Sequence, residues 1–111
     1  MGSISHSRYK QFIMKARPLP PLEELKEFLD YNPDTGIFTW IKPRQKVKVG
    51  NVAGNLHLGY IRIPFKYEHY RAHRLAYYMY YGIDPLEKLV DHIDGDQSNN
   101  KIKNLRLASN A

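Results

Sequence analysis

The stretch Leu89–Ala111, LVDHIDGDQSNNKIKNLRLASNA, decides how the rest of the chain is read. It opens on a short apolar entry, Leu89-Val90, followed by an acid beside an imidazole, Asp91-His92. Both side chains can bind a divalent cation, and a neutral histidine can take a proton from water near neutral pH. The loop Ile93–Asn100 is turn chemistry. Gly95 tolerates positive φ, and Asp and Asn side chains cap their own backbone. The chain returns through Lys103-Asn104-Leu105-Arg106-Leu107. Two short strands are therefore expected here, with the Asp-His pair at the end of the first. Adjacent residues on a regular strand face opposite sides, so Asp91 and His92 reach one site only at a strand end or a bulge.

Working outward, Asp91-His92-Ile93-Asp94-Gly95-Asp96, Asn99-Asn100 and Asn104-Leu105-Arg106 stand in a fixed order. Upstream come Tyr31-Asn32-Pro33-Asp34-Thr35-Gly36, Val49–Gly54, Gly59-Tyr60 and Ala72-His73-Arg74-Leu75-Ala76. In this order and spacing the chain, from about Tyr31 to Ala111, resembles the HNH endonucleases of the phage and mobile-intron branch. The DH…NN…NLR spacing is the specific part. The resemblance implies a ββα-metal motif in which Asp91 binds a divalent cation, magnesium or manganese, and His92 is the general base. It implies that Asn104 holds the loop and orients the histidine. Asn99 and Asn100 are expected to shape the loop, and His73 to hold a structural hydrogen-bonding role beside the site. Arg106 either faces DNA or flanks the strand. The family's last helix, which supplies a second metal ligand, is expected to begin at Ser109 as N-cap. Within the sequence given it is truncated, with that ligand falling just past Ala111.

Bulk properties agree with a polyanion partner. The 111 residues suit a single domain with a modest core, and 42% hydrophobic content fits a folded chain. Seventeen Lys and Arg against 11 Asp and Glu leave a net charge of +6, which fits either a polyanion partner or a merely soluble basic protein; the resemblance implies that the polyanion is double-stranded DNA. Cysteine is absent, which excludes a disulfide framework and a Cys-based zinc site. No apolar run approaches a membrane span of roughly 20 residues. Met1–Arg17 has no apolar signal core, so a cytoplasmic protein is expected, and the resemblance implies a bacterial or phage-infected cell.

Read in order, residues 1–17 form a basic arm carrying Arg8, Lys10, Lys15 and Arg17. Residues 18–111 form the single nuclease-like domain. Pro21–Leu29 is expected as a helix: proline suits its first turn, Glu23 and Glu24 complement the positive end of the dipole, and Leu22, Leu25, Phe28 and Leu29 share a face. Asn32–Gly36 is a turn and Ile37–Ile41 a strand. Lys42, Arg44, Lys46 and Lys48 recur at every second position. In an extended segment they point one way, as a rail for a phosphate backbone or as a charged edge that discourages sheet pairing. His57, near a turn, reads as an ordinary polar residue. Tyr60–Pro64 and a second strand ending at Arg71 are expected to join Ile37–Ile41 in a small antiparallel sheet. Ala72–Tyr81 is a helix stopped by Gly82, on which Arg71 and Arg74 lie one turn apart and can meet phosphate. Its tyrosines serve core packing, with the remainder open to base or partner stacking.

The fold class expected is α+β, a small antiparallel sheet with helices followed by the ββα-metal motif. The leading function is metal-dependent hydrolysis of DNA phosphodiesters. Two other readings fit the same residues: a DNA-binding module on the nuclease fold without its chemistry, and a subunit completed by a partner chain or a dimer mate.

Overall fold

The computed structural model describes residues 18–43 and 47–108. The basic arm, Arg44, Lys46 and the expected start of the last helix lie outside them. Helix α1 is Leu22–Phe28, with Glu23 and Glu24 in its first turn and Leu25 buried. It ends one residue short of Leu29, whose backbone is already extended at φ −127° and ψ 140°. Leu29 opens strand β1, Leu29–Tyr31, which pairs antiparallel with β2, Phe38–Trp40. The connecting turn is fixed by Asn32, whose Oδ1 accepts the Asp34 and Thr35 amides at 2.9 and 3.3 Å.

Three further strands form a second antiparallel sheet in the order β3, Asn55–His57, β4, Tyr60–Phe65, and β5, Glu68–Arg71. This corrects one expectation. The strand at residues 38–40 does not join it, because α1 runs straight into β1 and the Asn32 turn folds β2 back onto that strand. His57 belongs to β3, in register with Tyr60. Both hairpins close through two residues with positive φ, Leu58-Gly59 (54° and 86°) and Lys66-Tyr67 (50° and 70°). That is type I′ geometry, which suits the twist of the strands but disfavours residues with a Cβ. Tyr67 is fully exposed. Tyr67→Gly is therefore expected to stabilise the domain by about 1 kcal/mol, the usual left-handed penalty. Urea midpoints would check this, and an unchanged or lowered midpoint would count against it.

Helix α2, Ala72–Tyr81, has the bounds expected. Its buried stripe Ala72, Leu75, Ala76 and Met79 follows helical spacing. Gly82, at φ 73°, caps it by donating its amide to the Tyr78 carbonyl at 2.8 Å. The helix packs against α1, β1, β4 and β5 and also against the last two strands. Those strands, β6, Leu89–His92, and β7, Leu105–Ala108, form a separate antiparallel pair. A loop ending in a 3₁₀ turn, Ile102–Asn104, joins them. One core unites the pieces, with Leu25, Leu29, Phe38, Ile63, Phe65 and Leu75 as its largest fully buried side chains. The architecture is α+β with small antiparallel sheets and helices. No helix among the described residues is long and apolar enough to cross a membrane.

Candidate functional site

β6 alternates as a half-buried strand should. Val90 and His92 are buried, while Leu89 is exposed and Asp91 partly so. His92 closes the strand and is only 7% exposed. Its Nε2 meets Asn100 Oδ1 at 2.9 Å. With that oxygen accepting, Nε2 donates, and in the neutral ring Nδ1 keeps the lone pair. The ring is flanked by His73 from α2, 4.7 Å between centroids. Tyr60 of β4 stacks on His73 at 5.4 Å, and the Arg71 guanidinium lies 4.2 Å from the centre of the Tyr60 ring. Four planar groups, Arg71, Tyr60, His73 and His92, thus form one ladder from the three-stranded sheet to the end of β6. Gln97 of the loop donates to the Tyr60 hydroxyl at 2.9 Å.

Burial depresses His73 to about 3, with the charges of His92, Arg74 and Arg71 adding to the effect. It is neutral at working pH. An unfolded histidine titrates near 6.5. Between about 6.5 and 3 the unfolded chain therefore holds a proton that the folded chain refuses. The stability tied to His73 is complete above that window and is lost as pH falls through it, at about 1.4 kcal/mol per pH unit. His73→Gln should remove that slope between pH 6 and 4.5, as read from urea unfolding at several pH values. Parallel curves for the two proteins would contradict it.

The loop after His92 is held by Asn104, itself buried. Its Oδ1 accepts the Asp94 amide at 3.0 Å, and its Nδ2 donates to Asp94 Oδ1 at 3.0 Å and to the Asn99 carbonyl at 2.9 Å. Asn99 Nδ2 closes the ring on Asp94 Oδ2 at 2.8 Å. These donors, Asn99 first, hold the Asp94 carboxyl below its ordinary value, and Ser98 does the same for Asp96. Asn104 therefore fixes the loop, and the side chain that touches His92 is Asn100. The Asn100 carbonyl in turn accepts the Tyr31 hydroxyl.

Asp91 stands apart from this cluster. The β6–β7 register runs unbroken from Leu89 to His92, so no bulge turns Asp91 toward His92. Its Oδ2 pairs with Arg106 opposite, at 3.2 and 3.3 Å. It lines a cleft of about 370 Å³ together with Tyr60, Arg71, His73 and Arg74. Arg74 is anchored there by the Leu86 and Lys88 carbonyls. Among the described residues no three His, Cys, Asp or Glu side chains gather as a metal cage. The donor chemistry still suits a hard cation that keeps most of its water, takes one carboxylate and completes its shell from a substrate phosphate.

Of the alternating cations, Lys42 sits in a bend and pairs with Glu27. Lys48 precedes the turn at Val49-Gly50. Tyr60, Gln97 and Tyr31 escaped the sequence reading as site residues. Their only local signal is a tyrosine after a turn glycine or in a turn-entry strand, and their partners lie 37 to 69 residues away.

The HNH endonuclease family model matches residues 70–111, from the end of β5 through β7 to the end of the sequence. Over these residues the chain is similar to the HNH endonucleases. Asn100 and His73, which touch His92, lie in this matched stretch, as do Asp91, Asn104 and Arg106, whereas Tyr60 lies upstream of it. The sheet β3–β4–β5 and the α1–β2 unit lie almost wholly upstream of it. No curated protein and no solved structure matches the chain.

Proposed function

We propose that the protein is a metal-dependent DNA endonuclease of the phage or homing HNH type, acting in the cytoplasm. The observation that carries this is the setting of His92. Nε2 is engaged by Asn100, the ring is packed on a neutral His73, and Nδ1 is left with the lone pair, on a segment that matches the HNH family. In this reading His92 Nδ1 takes the proton of the attacking water as general base. Arg71 and Arg74, on the wall of the Asp91 cleft, neutralise the scissile phosphate. Asp91 would hold a divalent cation, magnesium or manganese, which when bound neutralises the phosphoryl group and the departing oxygen. The Arg106 pair is about half exposed on both sides. Such pairs contribute only about 0.2–1 kcal/mol, so the carboxylate can be given up to a cation. Asn104 and Asn99 keep the loop rigid, and Asn100 sets the ring.

The products should carry 5′-phosphate and 3′-hydroxyl ends, and ligase should reseal them directly. Ends that resist ligation until treated with a phosphatase or kinase would overturn the mechanism. The Asp91–Arg106 pair also favours a second reading, a DNA-binding module whose acid is occupied and whose chemistry is lost. Duplex binding without cleavage at any magnesium or manganese concentration would select it.

A further inference from the structure

Cross-strand partners share a face of a sheet. The registers His57↔Tyr60, Arg62↔Arg71 and Pro64↔His69 therefore put His57, Tyr60, Arg62, His69 and Arg71 on one face. The other face carries Ile61, Ile63 and Phe65, and the last two are fully buried in the core. The polar face borders a second cleft, of about 450 Å³, walled by His57, Arg62, His69, Arg71 and Arg74, with Glu68 as its single carboxylate. Arg71 and Arg74 also line the Asp91 cleft, so the two clefts share a wall.

The Arg62 backbone is paired on both sides within the sheet, but its side-chain Nε is buried without a hydrogen-bond partner among the described residues. An unpaired buried donor on a charged group is costly unless a ligand completes it. Positive charge is concentrated here. Desolvation and the neighbouring Arg62, Arg71 and His69 hold His57 below the ordinary imidazole range. A planar guanidinium with free donors is the side chain best fitted to a phosphate.

We propose that this second cleft binds a backbone phosphate of the cleaved DNA strand beside the scissile one, with Arg62 as its principal ligand and His57 and Arg71 flanking it. The proposal rests on the nuclease reading and deepens it. Phosphates along one strand succeed each other at about 3.4 Å of axial rise, and the shared Arg71–Arg74 wall places two phosphate sites side by side. The Arg71–Tyr60–His73 ladder ties this contact to the position of His92.

The test is the salt dependence of binding to a fluorescent duplex, with chelator present. Each lost phosphate contact lowers the slope of log K against log salt by about 0.9. Arg62→Gln should lose about that much slope and bind roughly tenfold more weakly. Arg62→Lys, which keeps the charge, should keep the slope. In the wild-type protein, the His57 imidazole resonances should shift when duplex is added. This second measurement decides the matter if Arg62→Gln does not fold. A wild type that binds and cuts DNA, with Arg62→Gln identical to it in slope and affinity, or with His57 unmoved, would overturn this contact and leave the nuclease reading standing. A wild type without salt-dependent duplex affinity would overturn both.

Discussion

His92→Ala is expected to bind duplex DNA as the wild type does and to cleave it about 10²–10⁴ times more slowly, the usual cost of losing a general base. The loss should fall on the chemical step, because the side chain is buried and its contacts are internal, to Asn100, His73 and Tyr60. Single-turnover cleavage beside duplex binding by anisotropy separates the two effects. Asn100→Ala should produce a smaller loss of the same kind, since it leaves the imidazole in place but removes the acceptor that fixes its proton on Nε2. A His92→Ala protein cutting at the wild-type rate would remove His92 from the mechanism.

The largest effect on stability is expected from Gly36→Ala, far from His92 in sequence. Gly36 has φ 78°, and a Cβ built there lies 2.5 Å from the Asn100 carbonyl carbon and 2.6 Å from the Lys101 nitrogen. Both are backbone atoms and cannot swing aside. The left-handed penalty of about 1–2 kcal/mol adds to an overpacking cost of about 1–3 kcal/mol. A loss of about 2–5 kcal/mol follows, or a fall in melting temperature of roughly 10–25 °C for a domain of this size. The same contact bears on function. The Asn32–Gly36 turn braces the loop through Ile102 N to Pro33 O at 3.0 Å, and Tyr31 at the end of β1 holds the Asn100 carbonyl. The upstream unit thus fixes the residue that fixes His92. Thermal melts would check the loss, and a variant within about 0.5 kcal/mol of wild type, the range of an ordinary surface substitution, would show that the turn does not press on the loop.

Those two residues mark what the sequence discloses and what it hides. Asp91-His92, the Gly95 turn and Asn104 lie within one local motif, where hydrogen bonds span at most 15 residues and spacing alone carries the pattern. The α2 stripe and its Gly82 cap are equally local. They are set by helical periodicity and by one left-handed residue. Tyr60 meets Gln97 across 37 residues and His73 and His92 across 13 and 32, and Gly36 meets Asn100 across 64, contacts for which no periodicity exists. The sheet at residues 55–71 was half legible. β4 is rich in β-forming residues and β5 carries one, Tyr70, but β3 has only three residues, Asn-Leu-His, two of them polar, and is a strand because β4 supplies its partner. Burial of His92 was legible from strand alternation. The choice of Asn100 over Asn104 as its partner was not, because two neighbouring asparagines and a third four residues on offer the same chemistry until the loop is folded.

The central claim is that His92, Asp91 and the arginines of the shared wall hydrolyse DNA with the help of a divalent cation. The most direct measurement is incubation of supercoiled plasmid with the wild-type chain in magnesium or manganese, beside the same mixture with the metal chelated. Conversion to relaxed or linear plasmid that needs the metal and stops on chelation is the predicted result. Plasmid left supercoiled at every concentration of either metal, or cut equally well in the presence of chelator, would contradict it.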